Sequence, residues 1–361
     1  MALPPSYPSV YMGFVGFVRL KGATIDGDET FNPGSRITFQ DYLIRASTAS
    51  INLSQEISKP DVVDSRYDKT VYQLGPKVID GTLEFPAIYD RPTGYVYGVF
   101  EILYRLAATR AATTGNLTEF DLEVKYAPSN TLPANQAEFI FKRCIANTWK
   151  FSVTQSDVVT CALGIIGRTR EFAGSLAAPA RKDSTTVCTQ TGDTANGQIG
   201  TSRIVTWADA RVNLTGGRLT ETIKGEFIRS FEANINNDAE RFYTLNKSLF
   251  PQAVAPRKRD VDGTMTLIGR HPDLSAMAES NEEQCNESTQ IKFGFETEAS
   301  GEACTGVSSF GVTLPNCIFE IEELSLGNDI FESTVGWHAL PSAGTGVCDP
   351  LLTNIGSITF E

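Results

Sequence analysis

Arg45-Ala46-Ser47-Thr48-Ala49-Ser50-Ile51-Asn52-Leu53, followed further on by Asp80-Gly81-Thr82-Leu83-Glu84-Phe85, returns in altered form in the other half of the chain. The second version is Arg229-Ser230-Phe231-Glu232-Ala233-Asn234-Ile235-Asn236-Asn237 with Asp262-Gly263-Thr264-Met265-Thr266-Leu267. Arg45 and Arg229 stand 184 residues apart and Gly81 and Gly263 182 apart, so this alignment puts a two-residue difference in the connecting loop. A third landmark, Cys144-Ile145-Ala146-Asn147 running on to Asp157 through Gly164, is echoed by Cys317-Ile318-Phe319-Glu320 running on to Asp329 through Gly336. The landmarks keep their order, and so long a period is that of a duplicated domain rather than of a solenoid.

The expected organisation is therefore a first copy over residues 1–178, a polar linker over 179–200 and a second copy over 201–361. A chain of 361 residues is long enough for two such domains, each with its own core. Within the first copy, Arg45 to Leu53 and Gly81 to Phe85 place apolar residues on one side and read as half-buried strands. Tyr95 to Ala108 changes period: Val96, Val99, Phe100, Leu103, Leu106 and Ala107 fall at helical spacing. Glu119 to Tyr126 returns to strict alternation, and Phe139 to Val153 and Val158 to Ile166 form two further strands about a tight turn at Thr154 to Asp157. The second copy repeats this with a short helix near Pro272 to Ala278 and a hairpin from Ile318 to Trp337 turning at Gly327-Asn328. The fold class is mainly β: two tandem copies of a small antiparallel β-sandwich or barrel domain, each with one flanking helix. Three polar stretches, Gly22 to Ser35, Ser54 to Lys77 and Asn236 to Val261, read as long loops, the candidates for contacts between rings in an assembling protein.

Charge and composition narrow the function. Lys+Arg 31 against Asp+Glu 43 gives a net charge of −12, which opposes general binding to a polyanion. With 2 histidines and no Cys-x-x-Cys pair among 7 cysteines, the chain has little material for metal or acid/base chemistry, and the thiols read as buried and free. The apolar run from Val10 to Leu20 is broken by Gly13, Gly16 and Arg19 and is too short to cross a bilayer, so no membrane association is expected and synthesis is placed in the cytoplasm. His271 and His338 lack a neighbouring nucleophile motif, and Gly344-Thr345-Gly346 lacks the rest of a phosphate loop. No catalytic residue, metal or cofactor is expected.

Trp207-Ala208-Asp209-Ala210-Arg211-Val212-Asn213-Leu214, with Arg229 to Asn237 and Val261 to Leu267, resembles the tail tube proteins of long-tailed bacteriophages, and residues 36–88 do so more weakly. The resemblance implies a β-sandwich or barrel with a flanking helix, stacked rings, and inner strands that join into a channel through which DNA passes without specific binding. It implies a virion protein whose partners are itself and other tail proteins, a sheath or terminator and the baseplate. Family members with one domain form six-membered rings, so a duplicated chain would need three copies. On this reading Glu119, Asp121, Glu123, Glu320 and Glu322, which alternate with apolar residues, are expected on solvated strand faces of the lumen. Arg257, Lys258 and Arg259, the one compact basic cluster, and Asp64, Arg66 and Tyr67 are expected at subunit or ring interfaces. The alternatives are another β-rich ring of the tail or baseplate, or a tandem carbohydrate-binding module using Trp149, Trp207 and Trp337 as sugar platforms.

Overall fold

The computed structural model describes residues 17–25, 37–38, 41–44, 46–58, 73–87, 99–111, 114–125, 138–173, 204–216, 219–245, 248–279, 289–296, 309–314, 316–320, 323–326, 331–340 and 355–356. The expected linker, 179–200, lies outside them.

The first run of elements is β1 (Phe17–Leu20), β2 (Thr24–Ile25), β3 (Ile37–Thr38), β4 (Tyr42–Ile44), β5 (Thr48–Ser58), β6 (Gln73–Pro86), α1 (Val99–Ala108), β7 (Phe120–Lys125), β8 (Glu138–Thr154), β9 (Thr160–Gly167) and β10 (Thr169–Phe172). The second run is β11 (Ala210–Thr215), a 3₁₀ turn (Gly225–Phe227), β12 (Ile228–Asn236), β13 (Glu240–Phe242), β14 (Ala253–Ala255), β15 (Asp260–Ile268), α2 (Pro272–Glu279), β16 (Gln290–Glu296), β17 (Ser309–Leu314), β18 (Cys317–Phe319), β19 (Glu323–Leu326), β20 (Phe331–Ala339) and β21 (Ile355–Gly356). The protein is mainly β with antiparallel ladders, as the alternating patterns predict. The loop expected from Ser54 to Lys77 is shorter than predicted, because β5 and β6 extend into it as far as the Ser58–Gln73 pair.

Both runs follow one order. In the first, β5 pairs with β6, β6 with β9 and β9 with β8; in the second, β12 pairs with β15, β15 with β20, and β20 with β18 and β19. Ile51 stands opposite Gly81 and Ala233 opposite Gly263, so β5 maps onto β12 at the same spacing of 182 as the glycines. Arg45 is thus not the counterpart of Arg229; the alignment there is displaced by two residues. A shift of two leaves every side chain on its own face, so hydrophobic alternation does not register it.

The two runs are joined by a strand pair. β8 and β12 form an antiparallel ladder of seven partners, from Ser230↔Thr154 to Asn236↔Thr148. β8 is long enough, at 17 residues, to serve two layers: its beginning pairs with β7 and β10, its end with β9 and β12. Arg143 takes a positive φ of 51°, and the β7 ladder shifts register between Phe120 and Leu122, a bulge that bends the strand as it changes layer.

The second run's other sheet, β11-β16-β17-β21, covers the joint. Phe293 packs on Phe151 at 5.3 Å between ring centres and on Phe231 at 5.2 Å. α1 is buried almost all round, which its run of Phe100, Ile102, Leu103, Tyr104, Leu106 and Ala107 requires. Phe100 meets Phe85, Trp149 and Phe151 of the first run and Phe295 and Phe310 of the second. One buried cluster therefore takes in both runs, where the sequence suggests separate cores.

Candidate functional site

The sheet β5-β6-β9-β8-β12-β15-β20, ending on β18 and β19, has one covered face and one open face. Ile51, Leu83, Leu163, Phe151, Phe231 and Trp337 point into the core. Their neighbours one residue along, Asn52, Glu84, Lys150 and Glu232 among them, point the other way because strand side chains alternate, and they are exposed or half-buried. Among the described residues β5 pairs only with β6, and β18 and β19 only with β20, so the sheet ends on β5 at one side and on β18 and β19 at the other, each with a second edge.

The open face is acidic. Asp80, Glu84, Glu232, Asp260, Asp262 and Glu332 lie on its strands. The nearby cations are engaged: Lys150 Nζ with Glu232 at 2.7 Å, Arg229 with Glu332 and Arg241 with Asp80. His338 Nε2 lies 2.9 Å from Glu320 Oε1, and Asp260, Asp262 and His338 bring one potential ligand atom each within 4.8 Å of one another.

An arm formed by residues 237–259 is fastened at its root by Asn237, which is fully buried. Its Nδ2 donates to Ala107 O (2.8 Å) and Ala146 O (3.2 Å), and its Oδ1 accepts from Arg110 (3.1 Å) and Arg259 (3.3 Å). One side chain thus ties α1, β8 and the arm together, a role no local sequence pattern marks. Asn237→Ala leaves two buried carbonyls without that donor and is expected to cost about 2–3 kcal/mol, read as a fall in urea midpoint with unchanged slope.

A family model described as phage tail tube protein matches residues 22–305. The chain belongs to the phage tail tube family. No individual curated protein matches it. Membership makes it a structural protein of the virion tail, in a family that in general self-associates and joins other tail proteins.

In this tail tube protein the acidic residues singled out by alternation fall in different places. Glu119 is exposed and paired with Arg168 at 3.0 Å, and the Asp121 carboxylate accepts from the Arg143 backbone N–H at 2.8 Å. Glu123 is not on a solvated face: it is buried, opposite Arg19 in the β1–β7 ladder, with Arg19 Nη1 at 2.9 Å and Lys21 Nζ at 3.6 Å. β1 and its cations cover it, which the alternation within β7 gives no sign of. All three belong to the β7 region, outside the open face; Glu320 sits beside β20, its N–H donating to Gly336 O at 2.8 Å and its Oε1 lying 2.9 Å from His338 Nε2. Glu322, Asp64, Arg66 and Tyr67 lie outside the described residues.

The basic cluster divides by role. Arg257 pairs with Glu240 across the arm, Arg259 holds Asn237, and Lys258 is exposed. Of the sugar platforms, Trp149 and Trp337 are fully buried and only Trp207, 46% exposed, could offer a face to a glycan, which removes the basis of the carbohydrate alternative. Cys144, Cys161 and Cys317 are buried and free; burial pushes all three thiols up, that of Cys317 to about 12, so they stay protonated and unreactive near neutral pH. The other four cysteines lie outside the described residues.

Proposed function

We propose that the chain is a two-domain tube subunit, that its two runs are two copies of one domain, and that three chains close a ring with pseudo-six-fold symmetry around a channel for DNA. The observation that carries this is the β8–β12 ladder. It pairs the last strand of one four-strand unit with the first strand of the next, and among the described residues the sheet ends with the same strand types unpaired on one edge: β5 at one side, β18 and β19 at the other. Repeating the internal joint between chains pairs β19 or β18 of one chain with β5 of its neighbour. Such a head-to-tail contact is heterologous and closes into a ring when the rotation allows it. Pairing also removes the open edges, which are otherwise templates for aggregation.

On this reading the open face is the channel wall. Its lumen-facing acids are then Asp80, Glu84, Glu232, Asp260, Asp262 and Glu332, with Glu320, in place of Glu119, Asp121 and Glu123. Carboxylates whose nearby cations are already paired keep the polyanion from adhering during passage. Contacts with a sheath or terminator and with the baseplate would fall on the ring faces and outer wall.

Electron microscopy of the purified protein at rising concentration tests this. Rings or tubes with three-fold symmetry and six similar lobes in end-on views are expected. Particles that stay monomeric throughout, or rings of any other chain number, would overturn it.

A further inference from the structure

The two runs differ most at one matching spot on the open face. In the first run Asp80 stands opposite Ile166, and two residues before it on β6 is Val78. Ile166 is buried with Val254 of the arm, and Arg241 of the arm donates to the Asp80 carboxylate, so the spot is covered and its acid is neutralised. In the second run Asp262 opens the same Asp-Gly-Thr, at the spacing of 182 that the ladders give. It stands opposite His338, and two residues before it is Asp260. The glycine two residues earlier on the facing strand matches as well. A Cβ at Gly164 would meet Thr148 Oγ1 at 2.1 Å, and one at Gly336 would meet Glu320 Oε2 at 2.2 Å. Val78, Ile166 and Thr148 are thus replaced together by Asp260, His338 and Glu320.

The replacements converge on one arrangement. Asp260, Asp262 and His338 hold their ligand atoms within 4.8 Å of one another. Glu320 Oε1 lies 2.9 Å from His338 Nε2. An ionised carboxylate only accepts, so Nε2 carries the proton and Nδ1 keeps the lone pair. A carboxylate on the far ring nitrogen is what orients an imidazole that binds a metal. Elsewhere on this face Lys150, Arg229 and Arg241 neutralise Glu232, Glu332 and Asp80. Among the described residues no lysine or arginine pairs with Asp260, Asp262 or Glu320. Asp262 does accept from Asn234 Nδ2 at 3.2 Å, a bond that orients the carboxylate and leaves its charge in place.

We propose that Asp260, Asp262 and His338 bind one divalent first-row transition cation, with Glu320 positioning the imidazole. Two carboxylates and one imidazole make a mixed oxygen and nitrogen set, which suits manganese or zinc better than calcium or magnesium, whose ligands are oxygens. The ion takes the place that the Arg241 guanidinium fills on the first run, positive charge at the acid of Asp-Gly-Thr. Three carboxylates about one divalent ion still leave a negative charge, so the face gains nothing that would hold a polyanion.

The test titrates the full-length chain with Mn(II), followed by loss of the free-ion electron paramagnetic resonance signal, with folding checked by circular dichroism. Manganese is the probe because zinc would also be taken by thiols. Saturable binding of one ion per chain is expected, with a dissociation constant below about 1 mM. Asp262→Asn, which can keep its bond to Asn234, and His338→Gln are each expected to weaken it about tenfold or more. Glu320→Ala is expected to weaken it as well, and Glu320→Gln, whose carbonyl still accepts from Nε2, to restore most of the affinity. The open-face control Glu84→Gln is expected to change nothing. No saturable binding, or binding that Asp262→Asn and His338→Gln leave intact, would overturn the site. An equal loss in Glu84→Gln would assign the signal to diffuse counter-ions and overturn it too. Binding is counted per chain and needs no ring, so a chain that never assembles removes the ring and leaves this site standing.

Discussion

Phe100→Ala is expected to lower stability by about 3–5 kcal/mol, the cost of emptying a fully packed aromatic site. The ring is in edge contact with Trp149 at 5.9 Å, Phe295 at 5.3 Å and Phe310 at 4.5 Å between ring centres. It therefore links strands of both runs through one helix. The consequence goes beyond the loss of area, because α1 is the element on which the β16–β17 sheet and the β8–β12 joint both rest. Urea unfolding of the parent followed by tryptophan fluorescence is expected to show one transition, since Trp149 and Trp337 belong to the same core. In Phe100→Ala the midpoint falls, and Trp149, beside the new cavity, is expected to report earlier than Trp337. A variant with the parent's midpoint would show that the two runs do not depend on α1 for their joint stability.

Gly263→Val is expected to cost more than about 3 kcal/mol, and Gly263→Ala to be clearly destabilising as well. A Cβ at Gly263 would come within 2.0 Å of Glu232 O and 2.4 Å of Trp337 Cζ2. Neither neighbour can yield: the carbonyl belongs to the β12–β15 ladder, and Trp337 is stacked on Phe231 at 5.7 Å and fully buried. The matching position of the first run is also crowded, but differently. At Gly81 the added atom would meet Ile51 Cγ1 at 2.7 Å, a side chain with some freedom to turn, although the Ile51 Cα is as close at 2.8 Å. Gly81→Ala is therefore expected to be the milder of the two, and thermal unfolding of the pair side by side checks the order. Equal midpoints would show that Trp337 does not set the requirement for glycine.

These two residues show what the sequence carried. The helix around Phe100 was legible because its apolar residues fall at helical spacing against a background of alternation, and Gly81 and Gly263 stood out because each sits inside the same Asp-Gly-Thr. Alternation, turn residues and the repeat determined the mainly antiparallel β character, the positions of most strands, and the resemblance to tail tube proteins, all of which depend on local chemistry or on order along the chain. Charge likewise set the acidic character of the whole.

Relations between distant segments were decided only by the tertiary structure. Period-two patterns assign a side chain to a face but are blind to a slip of two residues, so alternation alone permits Arg45 to align with Arg229, whereas the ladders place Ile51 and Ala233 opposite their glycines. The same limit explains Glu123, which alternates correctly within β7 yet lies under Arg19 because β1 pairs there. Asn237 holds three segments through hydrogen bonds to groups up to 130 positions away, and nothing in its own neighbourhood announces them. The β8–β12 ladder joins the two runs by the same kind of contact, a register between backbones, which carries no side-chain signature in either strand.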